Sequence, residues 1–428
     1  MAFELQDKQV AVLGAGRSGQ AAARLCSQKG ARVRLLEQDA SCLDAQEQKA
    51  LQEMGISLEL GRHQPKQLAG VELVVLSPGI ACRSVQHLLP EAGAEVCSEL
   101  ELASWFVQEP VLAVTGTSGK TTTVQAIAHI LSWAGQEVFL GGNIGVPLSE
   151  YAIDPCQAQV LVLEVSSFQL MHTYSLRPNV GVLLNFATNH LDYHQSLAEY
   201  LGAKLRLFKN QSQGDVAILP LEMRQELQAR PEIGGRQVYF ARAQDLECPG
   251  LPGPHNARNL QAAYLACSHF GIQKWQMQEA LQDFRPDSHR LQIVGEKQGI
   301  LFVDDSKATT LHALQAALQS FSRPVLLLAG GRFKGGDPAQ LRGLLQERVK
   351  AAALFGEDRE LFRQAWQDCT RVFTESELKQ AADRLLEIAS PGDVLLLSPA
   401  TSSFDQYKDY QERGLAFQRL VQEVVSKN

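Results

Sequence analysis

The 428 residues contain no apolar run long enough to cross a bilayer. The first residues, MAFELQDKQ, carry acids and no apolar stretch, so they do not read as a secretory signal. Dense blocks of Lys and Arg are also lacking: 40 basic residues stand against 47 acidic ones, a formal net charge of −7. That balance argues against a broad electrostatic footprint for nucleic acid or membrane, and leaves any anionic substrate to local groups. The eight cysteines form no C-x-x-C pair and no zinc-like spacing, which argues against a disulfide framework and for a reducing cytoplasm. Internal repeats and low-complexity tracts are absent.

What is present is an alternation of short apolar runs with longer helical patterns. The runs include VAVL (10–13), LVVL (73–76), VLAV (111–114), VLVLEV (160–165), VGVLL (180–184), VLLLA (325–329) and VLLLS (394–398). Strands apolar at every position are buried on both faces, as parallel sheets require. Between them, stretches such as SGQAAARLCSQKG and TVQAIAHILSWAG have helical spacing and end in Gly, a C-terminal stop. The pattern predicts an α/β fold of three domains: 1–98, Rossmann-like; 99–286, a P-loop ATPase-type parallel or mixed sheet; and 287–428, again Rossmann-like. CPGLPGP (248–254) reads as a loop, and RPDSHR (285–290) as a hinge before a two-strand pattern.

Two glycine loops carry the chemistry. In VAVLGAGRSGQ, Gly14, Gly16 and Gly19 have G-x-G-x-x-G spacing between a strand and a helix, and Glu37 ends the next strand, where an acid can bond a ribose. Alone, this favours an NAD(P) oxidoreductase; a tight turn without ligand is the plain alternative. A hundred residues later, LAVTGTSGKTTT sits between a strand and a helix, with Gly119, Lys120 and Thr121 matching the end of G-x-x-x-x-G-K-S/T. Backbone N–H groups of such a loop cradle phosphates, Lys120 supplies a point charge, and the Thr121 hydroxyl can join a Mg2+ shell. The opening glycine is missing, since position 114 is Val.

Three further positions stand out after this loop. Glu164 ends an apolar strand and suits a second Mg2+ site, although a strand-end acid often only faces solvent. His190 follows another strand at the same sheet edge, where open α/β sheets bind ligands; a lone loop histidine is the ordinary case. Lys204 lies on the apolar stripe of Leu197, Leu201, Leu205 and Phe208. It can snorkel to water, or lose its charge in apolar surroundings and become available for chemistry.

TGTSGKTT resembles the variant phosphate loop of the Mur ligase superfamily, which also includes folylpolyglutamate synthases. The likeness covers nearly the whole chain. LSPGI (76–80), SELEL (98–102), GGNIG (141–145), EVSSFQL (164–170), HNARN (255–259), DDSKAT (304–309) and LLSPATSSFDQYKDYQERG (396–414) are similar to the D-glutamate-adding branch of that family. The resemblance implies ATP-dependent amide formation between D-glutamate and UDP-N-acetylmuramoyl-L-alanine through an acyl phosphate, in the cytoplasm, by a monomer, with no nucleic acid partner and no membrane insertion.

It also implies roles for particular residues. Gly14, Gly16, Arg17, Ser18, Glu37 and Gln38 would hold the uridine diphosphate, and Ser77 and Asn143 its phosphate or sugar region. Gly116, Thr117, Ser118, Gly119, Lys120, Thr121 and Thr122 would hold ATP and the first Mg2+. Glu164, His190 and a carboxylated Lys204 would organise a second Mg2+, with Lys120, His190 and Lys204 catalytic. Asn256 and Asn259 would face adenine, and Arg290 and Asp305 would reach ATP from the third domain. Lys307, Thr309, Lys334, Ser403 and Tyr410 would surround D-glutamate. The chain departs from the family at Asp304, where Asn is common, at Glu37, where Asp is common, and at Tyr410, where Phe occurs. A sister ligase adding another amino acid, a folylpolyglutamate synthase, an NAD(P) oxidoreductase and a non-catalytic nucleotide sensor remain the alternatives.

Overall fold

Each of the apolar runs forms a strand, and the strands assemble into three sheets. The computed structural model describes residues 4–39, 42–78, 80, 85–88, 94–155, 157–187, 194, 196–241, 246–251, 254–286 and 288–426. The first sheet holds β1 (Gln9–Leu13), β2 (Arg32–Glu37), β3 (Ser57–Leu60), β4 (Leu73–Leu76) and β5 (Glu95–Ser98) in the order β3-β2-β1-β4-β5, all parallel. The second holds β6 (Val111–Thr115), β7 (Val138–Gly142), β8 (Val160–Glu164), β9 (Val180–Leu183), β10 (Val216–Pro220) and β11 (Arg236–Phe240). Its order is β11-β10-β9-β6-β8-β7, again all parallel.

The third sheet holds β12 (Gln292–Lys297), β13 (Ile300–Asp304), β14 (Val325–Gly330), β15 (Val349–Phe355), β16 (Arg371–Thr374) and β17 (Val394–Leu397). Its order is β12-β13-β17-β14-β15-β16. β12 and β13 are the two strands expected after RPDSHR; they pair antiparallel, and the other pairings are parallel.

Strand alternation explains why these runs are apolar throughout. In β1, Val10 and Val12 enter one core while Ala11 and Leu13 enter another on the opposite face. In the third sheet, Leu327 and Ala329 face one core and Leu326 and Leu328 the other. Neighbouring residues of a strand point to opposite faces, so a sheet covered by helices on both sides has no solvent position to give a polar residue. The helical patterns are realised as Arg17–Gln28 and Lys120–Trp133, and the glycines after them, Gly30 and Gly135, take φ values of 82° and 85°.

The chain packs as two compact units, Met1–Ala241 with Gln261–Ala280, and Arg242–Leu260 with Leu281–Asn428. The first unit contains two sheets because one core runs between them. Helix Glu99–Ser104, capped by Ser98, contributes Leu100, Leu102 and Ala103 to that core, and helix Leu148–Ile153 contributes Leu148, Tyr151 and Ala152. No helix among the described residues is long and apolar enough to cross a membrane.

Candidate active site

The missing glycine of the second loop is explained by where the strand ends. Val114 belongs to β6, is fully buried, and pairs with Val182 on one side and Glu164 on the other. The turn starts two residues later. Gly116 has φ 152° and Gly119 φ 80°, so the loop spans Gly116–Gly119 and leads straight into helix Lys120–Trp133. The helix has no side-chain cap, so its first amides face the loop, as an anion site requires.

Four side chains shape this loop. Asn185, after β9, accepts the amides of Thr117 and Ser118 at 3.1 and 3.0 Å through Oδ1, and its Nδ2 donates to Ser118 O at 3.1 Å. Tyr200 donates to Thr117 Oγ1 at 3.4 Å. Lys120 Nζ donates to Gly116 O and Thr117 O at 3.0 and 3.2 Å. Lys204 Nζ donates to the same Gly116 O at 2.9 Å and lies 4.4 Å from the centre of the Tyr200 ring. Asn185 and Tyr200 do not stand out in the sequence, where an amide and a phenol have no motif to mark them.

Lys204 does not snorkel. It is 1% exposed, and burial, with the charge of Lys120 adding to it, holds its amine well below the ordinary lysine range. Glu164 is also buried, and its carboxylate is bridged. Thr121 Oγ1 donates to Oε2 at 2.6 Å, and Asn143 Nδ2 donates to Oε1 at 2.8 Å. Asn143, expected at the sugar or phosphate of the substrate, is thus also a partner of Glu164. A carboxylate and a hydroxyl in contact at the end of a phosphate loop are hard oxygen donors of the kind Mg2+ takes. His190 lies outside the described residues. Among the described residues no group of three or more His, Cys, Asp or Glu side chains is placed to hold a metal.

The first glycine loop is built from close contacts. A Cβ at Gly19 would fall 1.7 Å from Gly14 O, and Gly14 itself has φ 94°. Ser77, after β4, donates to Gly14 O at 2.9 Å, joining the ends of β1 and β4, where the strand order reverses. Glu37 accepts the amides of Ala15 at 2.7 Å and Asp39 at 3.0 Å, so its carboxylate also holds the loop. Arg17 donates to Gly145 O at 2.8 Å and pairs with Glu150. Ser18 is half-buried, and Gly16 and Gln38 are exposed.

The second unit gathers the remaining candidates. Asn256 and Asn259 are buried, three residues apart on helix Pro254–His269. Asp305 follows β13 and accepts Ser398 Oγ at 2.8 Å and Leu291 N at 3.2 Å; burial pushes its carboxyl up to about 7, with the positive charge of Arg290 acting against that. Lys307 Nζ lies 5.2 Å from the centre of the Tyr410 ring. Thr309 is half-buried, Ser403 is buried, and Lys334 is exposed in the glycine loop after β14.

Arg413 is a further residue the sequence did not reveal. It is fully buried and donates to Ser306 Oγ and O, Gly330 O, Thr401 O and Ser402 O at 2.9–3.4 Å, and burial lowers it to about 10. One guanidinium therefore ties the loop after β13, the end of β14 and the loop after β17.

The three sheets, parallel except for the β12–β13 pair, and the two glycine-rich strand–helix turns together define an α/β protein of three-sheet architecture. Known proteins extend this. The chain matches family profiles described as "Mur ligase MurD-like, N-terminal domain" over residues 8–97, "Mur ligase middle domain" over 114–247 and "Mur ligase, glutamate ligase domain" over 289–401. It is 49% identical over 413 residues to the UDP-N-acetylmuramoylalanine–D-glutamate ligase of Desulfovibrio desulfuricans, covering 96% of this chain and 95% of that one. To the protein of the same name from Lawsonia intracellularis it is 42% identical, covering 98% and 95%. Among solved structures, the MurF ligase of Thermotoga maritima in complex with ADP superposes with a TM-score of 0.59 at 16% identity, covering 98% of this chain and 96% of that one, which is a likeness of fold. The chain belongs to the Mur ligase family. The dehydrogenase reading of the first glycine loop is set aside, since that loop lies within the ligase N-terminal domain.

Proposed function

We propose that this protein is the ATP-dependent ligase that joins D-glutamate to UDP-N-acetylmuramoyl-L-alanine, a cytoplasmic step of peptidoglycan synthesis. Similarity over nearly the full length to ligases of that name supports the substrates. The observation that carries the chemistry is the convergence of Lys120 and Lys204 on Gly116 O beside the Thr121–Glu164 contact.

A carboxylate repels an incoming amine and needs a leaving group before it can form an amide. The alanyl carboxylate would attack the γ-phosphate of ATP, giving an acyl phosphate and ADP; the amine of D-glutamate would then displace phosphate. Lys120 and the first amides of helix Lys120–Trp133 would hold the phosphates and offset the charge that develops on the transferred group. Asn185 keeps the loop in the shape that aims those amides. Thr121 and Glu164 are the residues that would hold Mg2+, which when bound neutralises phosphate charge. A buried amine kept neutral is nucleophilic, so Lys204 would add to CO2, forming an N–C bond and losing a proton, and become an anion beside the loop. The first glycine loop with Arg17, Ser18, Gln38 and Ser77 would bind the uridine diphosphate. Asn256, Asn259, Arg290 and Asp305 would serve ATP, and Lys307, Thr309, Lys334, Ser403 and Tyr410 D-glutamate, whose carboxylates suit two lysines. We take the working form to be a monomer with domains divided near 98 and 286.

The test is ADP release from MgATP with UDP-N-acetylmuramoyl-L-alanine, with and without D-glutamate. Amide product is expected only with all three substrates. No amide, or equal rates with other amino acids, would refute the reading.

A further inference from the structure

In the second unit, the β12–β13 hairpin and the last helix meet at a buried histidine. His289, just before β12, holds φ 68°, a left-handed conformation that a non-glycine residue keeps only where its surroundings impose it. Its Nδ1 lies 2.6 Å from Oδ2 of the fully buried Asp304. Asp304 faces three donors. Oδ2 accepts from His289 Nδ1 and from Gln418 Nε2 at 2.8 Å, and Oδ1 accepts the amide of Ser306 at 3.0 Å. Gln418, on helix Tyr410–Ser426, donates also to Gln292 Oε1 at 3.2 Å, and that oxygen accepts His289 N at 3.0 Å. A Cβ at Gly414, one turn earlier, would fall 2.0 Å from His289 Nδ1, so glycine there makes room for the ring.

Two backbone links carry this order outward. Lys307 N donates to His289 O at 3.1 Å, and Leu291 N donates to Asp305 Oδ1 at 3.2 Å. Segment 289–291, with Arg290, is thereby tied to segment 304–309, with Asp305, Lys307 and Thr309. Ser306 Oγ, donating to Tyr410 O at 2.8 Å, joins both to the start of the helix.

The chemistry of position 304 is specific to a carboxylate. With two donors on one oxygen and one on the other, an acceptor-only group satisfies all three. Asn at this position would turn an NH2 group toward donors already in place.

We propose that His289, Asp304 and Gln418 form a positioning latch that sets Arg290 and Lys307 in register, and that the Asp304 carboxylate is its acceptor hub. What the latch positions rests on the proposed function; the latch itself does not.

The experiment uses the full chain with Asp304→Asn. KM for D-glutamate is expected to rise about tenfold or more, as a displaced binding group produces, while the directly measured affinity for UDP-N-acetylmuramoyl-L-alanine stays unchanged. Amide hydrogen exchange in 289–291 and 304–309 should speed up. In the double variant Asp304→Asn/Gln418→Glu the NH2 group introduced at position 304 regains an acceptor, so part of the KM and slower exchange should return. Unchanged KM and exchange in the single variant overturn the latch, as does a fall in kcat with KM unmoved or a double variant no better than the single. Should Asp304→Asn fail to fold, Gln418→Leu, which keeps the carboxylate and removes one donor, must still raise KM by a smaller factor and speed the same exchange; no change there overturns the proposal. A wild-type chain that makes no amide refutes the functional reading and leaves the exchange result to decide the latch.

Discussion

Thr121 Oγ1 donates to Glu164 Oε2 at 2.6 Å, joining the first turn after the phosphate loop to the end of a strand 43 residues away. The contact exists because β6 and β8 are neighbours, with Val114 opposite Glu164. Two oxygens from different elements are thus held in contact.

Glu164→Gln keeps a group that can bond Thr121 and removes the charge. MgATP-dependent ADP formation is expected to fall by about two to three orders of magnitude, the scale of losing one electrostatic contact to a transition state, with the melting temperature nearly unchanged. Near-normal turnover in a folded variant would remove Glu164 from the site.

Lys204→Ala is expected to lose about a hundredfold or more of kcat, in keeping with losing a preorganised charge, and to regain part of it on adding a short carboxylic acid, which can stand in for the carbamate. Stability supplies a second readout. The folded state holds the amine below its ordinary value of 10.5, so between the lowered value and 10.5 the unfolded chain binds more protons, and wild-type stability rises with pH in that window. Lys204→Met, which cannot titrate, should therefore melt above wild type near neutral pH in CO2-free buffer, with the gap closing toward pH 10. A pH-independent gap would contradict a buried, depressed amine.

Asp305 has the opposite sign. Its carboxyl is raised from an ordinary 3.8 to about 7, so the folded state binds more protons in that interval and wild-type stability is lost as pH rises through it. Each unit is worth about 1.4 kcal/mol, so Asp305→Asn should gain on wild type by up to a few kcal/mol between pH 4 and 8 in denaturant melts, while losing ATP turnover. Parallel pH curves for the two proteins would show that Asp305 is not held protonated by burial.

The two glycines of the first loop separate sterics from motif. Gly19→Ala sets a methyl 1.7 Å from Gly14 O and should lower the melting temperature by several degrees, whereas Gly16→Ala meets no protein atom within 4 Å and should leave it nearly unchanged. Equal losses would mean that the spacing matters for a reason other than packing.

Much of this was legible residue by residue. Val10, Ala11, Val12 and Leu13 announce a strand covered on both faces, and Gly116, Gly119 and Lys120 announce a phosphate loop. Arg413 and Asn185 were not legible. A buried guanidinium in QERG and an amide in LNFATN look like solvent-facing residues until three loops, or two strands, are brought together around them. Asp304 was visible only as a departure, with no sign of what it answered.

The sequence by itself determined the α/β alternation, the three sheets, both glycine loops and the family, because those rest on local periodicity and on motifs contained within a few residues. Only the tertiary structure decided that Val114 is a strand residue, that Lys204 is sealed from water against Gly116 O, and that Asp304 receives three donors from separate segments. Burial and hydrogen-bond partnership depend on which distant elements become neighbours, and it is the removal of water by those neighbours that turns an ordinary lysine or aspartate into a chemically distinct one.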